Sequence, residues 1–165
     1  EALEIVTKLV REGEVDFHGT WYEVNEVVNR PRGPRPEGMP IMIGTFNGER
    51  MMRLTAQHAD HWNIWANAFG NRAASIEPIQ RQMDRYCAGS GRDPKTLKRS
   101  AAVFVDFEGT YGRPGQPVPS LTGTARELAD EYLRYAEAGV DLLQLYPDPC
   151  TVEGIKRCAE ALEYL

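Results

Sequence analysis

A parallel α/β fold, amounting to half of an eight-stranded barrel, is what the 165-residue sequence predicts. Three observations carry that expectation. Apolar segments at 41–44, 61–65, 101–107 and 140–146 are each followed by a stretch with helical spacing. These segments are near-continuous apolar runs, as in a parallel sheet covered on both faces. A helix-patterned segment also stands at the front with no strand before it. Doubly wound sheets and (βα)8 barrels both repeat strand and helix this way. Four units plus a leading helix amount to strands five to eight of a (βα)8 TIM barrel, with strand four missing.

Residues 1–12 (EALEIVTKLVRE) form that leading helix, with Leu3, Val6, Leu9 and Val10 expected on one face. The chain opens in mid-helix with no Met, so it reads as a fragment of something longer. Residues 13–39 read as a hairpin and a connecting loop. A short hairpin is expected at 15–24, with a turn near Gly19. A loop, NRPRGPRPEGMP, follows, with four prolines and three arginines. Its arginines are either a solvated loop or a site for an anionic ligand tail.

Residues 40–165 carry the four units, and the whole chain is one partial domain. After the strand at 41–44, a helix at about 48–58 packs through Met52, Leu54 and Ala56. The strand at 61–65 leads to a helix at about 76–89, where Ile76, Ile79, Met83 and Cys87 repeat at helical spacing. Pro78 is tolerable there because it sits in the first turn. A buried strand at 101–107 precedes a Gly/Pro-rich loop to residue 123. The next helix starts at Thr124, where Thr-Ala-Arg-Glu makes a capping box with Glu127, and stops before Gly139, which suits the position just past a helix end. The last strand, 140–146, is followed by a helix at 152–164.

The net charge of −5 and pI near 5.3 argue against a nucleic-acid partner. No apolar run approaches the ~20 residues of a membrane span, and no signal peptide is visible. Cys87, Cys150 and Cys158 have no CxxC spacing and fit reduced, packed thiols in a cytoplasmic protein.

Ligands in such folds sit at the C-terminal ends of the strands. Those ends are Gly44 to Gly48, Asn63 to Ala68, Asp106 to Gly112 and Tyr146 to Pro149. In GTFNGERM the strand halts at Gly44, and the amides that follow precede a helix N-terminus, where unpaired N–H groups and the helix dipole favour an anion. Gly44 and Gly48 allow close backbone approach, and Arg50 offers charge-assisted bonds. The other reading is an ordinary turn that uses Asn-Gly for its geometry. Of Trp62 and Trp65, odd spacing puts at most one on the barrel interior. Trp65, nearer the strand's C-terminal end, is the candidate for ligand contact. His58, Asp60 and His61 are not expected to bind metal, because His58 and Asp60 fall at the opposite end of the layer. His18, in the hairpin, has no evident partner.

Five blocks carry a family resemblance: EALEIVTKLVREGEVDFHGTWYEV, PIMIGTFNGERMMRLTAQHADHWN, CAGSGRDPKTLKRS, LTGTARELADEYLRYAEAGVDLLQLYP and EGIKRCAEAL. In this order the chain resembles the C-terminal half of the luciferase-like monooxygenase superfamily of flavin- and deazaflavin-dependent barrels. The run from Arg53 to Asn63 and the Gly91-Arg92-Asp93-Pro94 block resemble the branch that uses coenzyme F-420, an 8-hydroxy-5-deazaflavin. The resemblance implies a phosphate loop after strand five. The family's Gly-Gly-x-Gly stands here as Gly44, Thr45, Phe46 and Asn47, followed by Gly48, so only the first glycine is kept. With Arg50, Asn63 and Trp65, these are the candidate cofactor-binding residues. The family's ring pocket and acid/base residues lie mainly on strands one to four, so no catalytic residue is named.

The resemblance implies an oxidoreductase that moves hydride between a small organic substrate and the deazaflavin. FMN with oxygen, in a monooxygenase, is the alternative. The fragment alone is expected to be inactive. Its expected partners are the missing N-terminal half of the barrel or a second copy in a homo-oligomer. The rivals are a non-enzymatic half-barrel that serves binding or assembly, and an aldolase-like phosphate barrel. The latter wants a strand-end lysine, whereas Lys98 lies at a strand start.

Overall fold

A computed structural model of the chain describes residues 1–107 and 118–165 in full and, between them, the backbone of Gly112–Arg113 and Gln116–Pro117. Helix α1 (Ala2–Glu12) ends at Gly13, whose left-handed φ of 87° lets its N–H reach Leu9 O at 3.1 Å. Strands β1 (Glu14–His18) and β2 (Glu23–Val28) form the hairpin. It is longer than the expected 15–24, because the ladder runs on to Glu14 opposite Val28. The Glu1 carboxylate ties its tip to α1 by accepting the amides of Thr20 (3.0 Å), Trp21 (2.8 Å) and Tyr22 (3.1 Å). One expectation for α1 fails. Val6 is 46% exposed, and the half-buried residues include Ile5 alongside Leu3, Leu9 and Val10.

The remaining strands β3 (Met42–Gly44), β4 (His61–Trp65), β5 (Lys98–Asp106) and, after the short antiparallel pair β6 (Gly112–Arg113) and β7 (Gln116–Pro117), β8 (Leu142–Asp148) include the main sheet. Its order is β3-β4-β5-β8, parallel throughout. A doubly wound sheet reverses its strand order at a switch point, whereas a barrel adds each new strand on the same side. Here every strand is added on the same side. The sheet is also rolled: Gln144 Nε2 of β8 comes within 3.8 Å of Met42 Sδ of β3, although these are the two edge strands. The chain therefore folds as consecutive βα units of a (βα)8 barrel with a hairpin before them.

Helices α2 (Glu49–His58), α3 (Glu77–Gly89), α4 (Ala125–Glu137) and α5 (Val152–Glu160) cover the outer face. Ile43, Trp62, Ile64, Ala101, Val103 and Val105 point outward to them and share one buried cluster with Met52, Ile79, Met83, Leu128 and Tyr135. The alternate residues Met42, His61, Asn63, Trp65, Ser100, Phe104, Gln144 and Tyr146 face the barrel interior. Helix α4 starts with the expected capping box between Thr124 and Glu127, and Gly139 follows its end at a φ of 83°.

Three boundaries differ from the pattern reading. Strand β5 starts at Lys98 rather than residue 101, because its polar first residues find partners. Lys98 Nζ bonds Asp141 Oδ1 at 2.9 Å, the Arg99 guanidinium bonds Asp84, and Ser100 Oγ donates to Trp62 O at 3.2 Å. Strand β8 covers 142–148 rather than 140–146, because Val140 and Asp141 are used in the connection. Val140 N donates to Tyr135 O (3.0 Å) and Asp141 N to Arg99 O (2.7 Å). The last helix divides at Glu160, and Ala161–Tyr164 continues as a 3-10 turn. Of the expected loop from 107 to 123, residues 108–111 and 114–115 lie outside those described.

Candidate functional site

The C-terminal ends of the four strands place most of the candidate residues together. Gly44 is the last residue of β3 and pairs with Asn63 of β4. Beyond it the backbone turns away, held at Thr45 from two sides. Thr45 N donates to Asn63 O (3.1 Å), and Trp62 Nε1 donates to Thr45 O (2.7 Å). Thr45 Oγ1 then closes the turn by donating to Asn47 O at 3.0 Å. Gly48 takes a φ of 80°, and no atom lies within 4 Å of where its Cβ would be. Helix α2 begins at the next residue, with no side-chain cap. Among the described residues, no acceptor is bonded to the amides of Phe46, Asn47 or Gly48.

Phe46 is 38% exposed and meets Phe69 edge-on, with centroids 6.2 Å apart. Arg50 is exposed on the first turn of α2 and, among the described residues, forms no ion pair. Asn63 faces inward, and its Oδ1 is buried without a hydrogen-bond partner among the described residues. Trp65 joins a different group of rings, Phe104 of β5 and Tyr146 of β8, both with centroids 5.6 Å from its own. The two tryptophans do separate by face. Trp62 is 1% exposed against the helices, and Trp65 is 40% exposed on the inner face.

The opposite end of the sheet is tied shut. The Asp60 carboxylate accepts Ile41 N at 2.6 Å and the Arg11 guanidinium. Burial opposes its ionisation, but the Ile41 amide and Arg11 outweigh that and hold its carboxyl below the usual range. His58 Nδ1 lies 3.4 Å from Thr7 Oγ1, and burial lowers its pKa. The arginine loop precedes β3 at this same end. Arg32 is engaged with Arg11 O and Pro36 O, so it stands away from the candidate turn. His18, for which no partner was expected, sits between Asp16 (3.5 Å) and Glu23 (3.4 Å).

Pattern reasoning missed Asn71. It is fully buried at a φ of 56°, just past the end of β4. Its carboxamide donates to Phe104 O (2.8 Å) and accepts from Phe104 N (3.1 Å), so it continues the ladder beside β5 where β4 has stopped. The only sequence signal is an Asn after Gly70, a pair suited to positive φ. Asn71→Ala is expected to cost about 2–4 kcal/mol, from two buried backbone groups losing their partner and from alanine's dislike of this φ. Urea unfolding checks it, and a loss under about 0.5 kcal/mol, the level of an ordinary surface substitution, would refute the role.

Fold and turn together define a partial (βα)8 barrel whose C-terminal strand ends carry backbone amides and inward-facing aromatic rings. The chain belongs to the luciferase-like monooxygenase family, whose model matches residues 1–108. No curated protein matches it in sequence. Among solved structures it is similar to the coenzyme F-420-dependent tetrahydromethanopterin reductase of Methanopyrus kandleri, at 14% identity and a TM-score of 0.69 over 96% of this chain and 58% of that one. It is also similar to an F-420-dependent secondary alcohol dehydrogenase in complex with an F-420–acetone adduct, at 15% identity and a TM-score of 0.64 over 97% of this chain and 60% of that one. A third is riboflavin lyase with modified FMN and riboflavin, at 14% identity and a TM-score of 0.68 over 91% and 47%. The chain thus spans 60% or less of the length of each of these structures. At these identities the likeness is one of fold.

Proposed function

We propose that the chain is the C-terminal wall of a deazaflavin-dependent oxidoreductase that transfers hydride to or from a small organic substrate. The observation that carries the reading is the turn after Gly44. Its amides at Phe46, Asn47 and Gly48 have no bonded acceptor among the described residues, at the end of the sheet where barrels hold ligands. The site fits a phosphate-bearing cofactor, because Gly44 and Gly48 leave the approach open and Arg50 is available for charge. A bound deazaflavin supplies the hydride chemistry. The chain's own part is to hold the phosphate with residues 44–48 and Arg50, to orient the ring side with Asn63 and Trp65, and to exclude water. Two of the similar structures being F-420 enzymes supports deazaflavin. The FMN-bearing riboflavin lyase supports FMN as the second reading.

Closure of the barrel, by an N-terminal half or by a second copy of the chain, is needed to complete the pocket, so the isolated chain is expected to be inactive. Among the described residues no helix is long and apolar enough to cross a membrane, and Cys87, Cys150 and Cys158 are free thiols. A cytoplasmic enzyme is the reading these features support. The test is titration of the barrel-completed protein with F-420 and with FMN. Tighter binding of F-420 is expected, with weak binding of either by the isolated chain. Equal or reversed affinity would replace the first reading with the second. If Arg50→Ala left both affinities unchanged, the proposed phosphate contact would be wrong.

A further inference from the structure

The arginine loop before β3 takes no part in the turn after Gly44, yet it encloses a cavity of its own, of about 360 Å³. Three elements meet there. The last turn of α1 contributes Val10, the end of the hairpin Asn29, and the approach to β3 Met39. The volume suits a metabolite-sized ligand, near the lower end of the usual range of about 300–1,000 Å³.

The walls are fixed by the backbone. Asn29 N donates to Gly13 O (2.8 Å) and Gly38 N to Arg35 O (3.1 Å), while Arg11 Nη1 donates to Glu37 O (3.0 Å). A Cβ on Gly38 would run into Val10 O, so glycine alone lets the loop lie this close to α1. The four prolines of the loop restrict it further. Its shape is set before a ligand arrives, which lowers the entropic cost of binding.

No residue lining the cavity is acidic, although the chain as a whole carries a net charge of −5. Arg11, Arg99 and Arg134 are each paired with a carboxylate. Arg32 is held instead by two carbonyls, those of Arg11 and Pro36, so its charge is placed but not neutralised. Capping the end of α1 accounts for Arg32. It does not account for Arg35, which is exposed in the same lining and, among the described residues, forms no ion pair or side-chain hydrogen bond. Beside the two guanidinium groups stand Pro31, Pro34 and the 66%-exposed Met39, an apolar wall.

We infer that this cavity is a second binding site, for a small organic anion. A phosphate or carboxylate head lies between Arg32 and Arg35, and an apolar body rests on Pro31, Pro34 and Met39. Guanidinium groups suit either head, because their planar fork matches paired oxygens. The site is separate from the proposed cofactor turn and does not depend on it. An occupant bridges α1, the hairpin and the approach to β3, so it binds the folded chain and stabilises that junction.

Probes that differ in charge and in apolar body test it. In an amide NMR titration of the purified chain at low salt, phenyl phosphate and benzoate should each move Gly33 and Gly38 saturably. The melting temperature should rise with occupancy. Inorganic phosphate, which lacks the ring, should bind about threefold more weakly than phenyl phosphate. Benzyl alcohol, which lacks the charge, should leave these amides unmoved. Arg35→Ala should weaken phenyl phosphate about fivefold, and Met39→Ser should weaken phenyl phosphate but not inorganic phosphate. Arg81→Ala, which removes the same charge from the surface of α3, should change neither. Arg35 and Met39 are exposed, so both variants should fold, as circular dichroism verifies. Unmoved Gly33 and Gly38 amides, equal affinity in Arg35→Ala, or benzyl alcohol binding as tightly as phenyl phosphate each overturns the site. Shifts confined to Phe46, Asn47 and Gly48 would put the anion in the turn alone and overturn it equally.

Discussion

Trp62→Ala is expected to be among the most damaging single substitutions in the chain, lowering stability by about 3–5 kcal/mol. Trp62 is 1% exposed in the middle strand region of the core, where Ile43, Met52 and Ile64 share its cluster. Removing the indole leaves a cavity that the sheet and α2 cannot both close. It also strands Thr45 O, which the indole N–H holds at 2.7 Å. A domain of this size is commonly stable by only about 5–15 kcal/mol, so the variant gives up a large share of its stability. Trp62→Phe separates the two effects. It keeps most of the apolar volume and loses the N–H, so its stability should fall by about 1–2 kcal/mol. Its turn at Thr45 to Asn47 should loosen, and faster amide exchange there, with weaker cofactor binding than the stability loss explains, is the expected signature. If Trp62→Ala unfolds in urea within about 1 kcal/mol of the parent, the packing argument is wrong. If Trp62→Phe leaves amide exchange in the turn unchanged, the bond to Thr45 does not position it.

The same residue shows what could be read without a structure. The face on which each tryptophan falls follows from the parity of a strand, and parity is visible in the sequence. The indole bond to Thr45 is not visible, because it depends on how far past Gly44 the chain turns before α2 begins. The strand order could be argued from the repetition of strand and helix, since each parallel connection needs a crossover. Strand ends were less legible. Apolar content marks the middle of a buried strand, but β5 opens with Lys98, Arg99 and Ser100, which belong to it because partners sit opposite them. Phe104 reads as an ordinary apolar strand residue, and Tyr146 only as the start of a strand end. Only the register of β5 on β8 sets them side by side. Asn71 was invisible for a similar reason, since its role exists only because β4 stops short of Phe104.

The purified chain is expected not to behave as an 18.6 kDa monomer. Strands β3 and β8 are the edges of a rolled, wholly parallel sheet, and among the described residues neither outer edge has a neighbouring strand. Met42, Trp65, Leu142 and Tyr146 stand 40–43% exposed on or near the concave face. Asn63 Oδ1 and His61 Nδ1 are buried there with no partner among the described residues. Edges of this kind are templates for further strands, and covering the apolar part returns about 25 cal/mol per Å². Because β3 and β8 run in the same direction, β8 of one copy can pair in parallel with β3 of another. Doing so twice closes eight strands around a two-fold axis. An N-terminal half-barrel offers the same edges without symmetry and should displace the second copy when added in trans. Light scattering should therefore give twice the chain mass or more for the chain alone, and a one-to-one complex when strands one to four are supplied. Two substitutions sharpen the reading. Leu142→Lys and Met42→Lys put charge on the two edges of the concave face and should shift the equilibrium toward monomer without unfolding the helix-covered core. A parent chain that stays monomeric at high concentration and melts cooperatively would show that the open wall is stable on its own, and the pairing argument would fall.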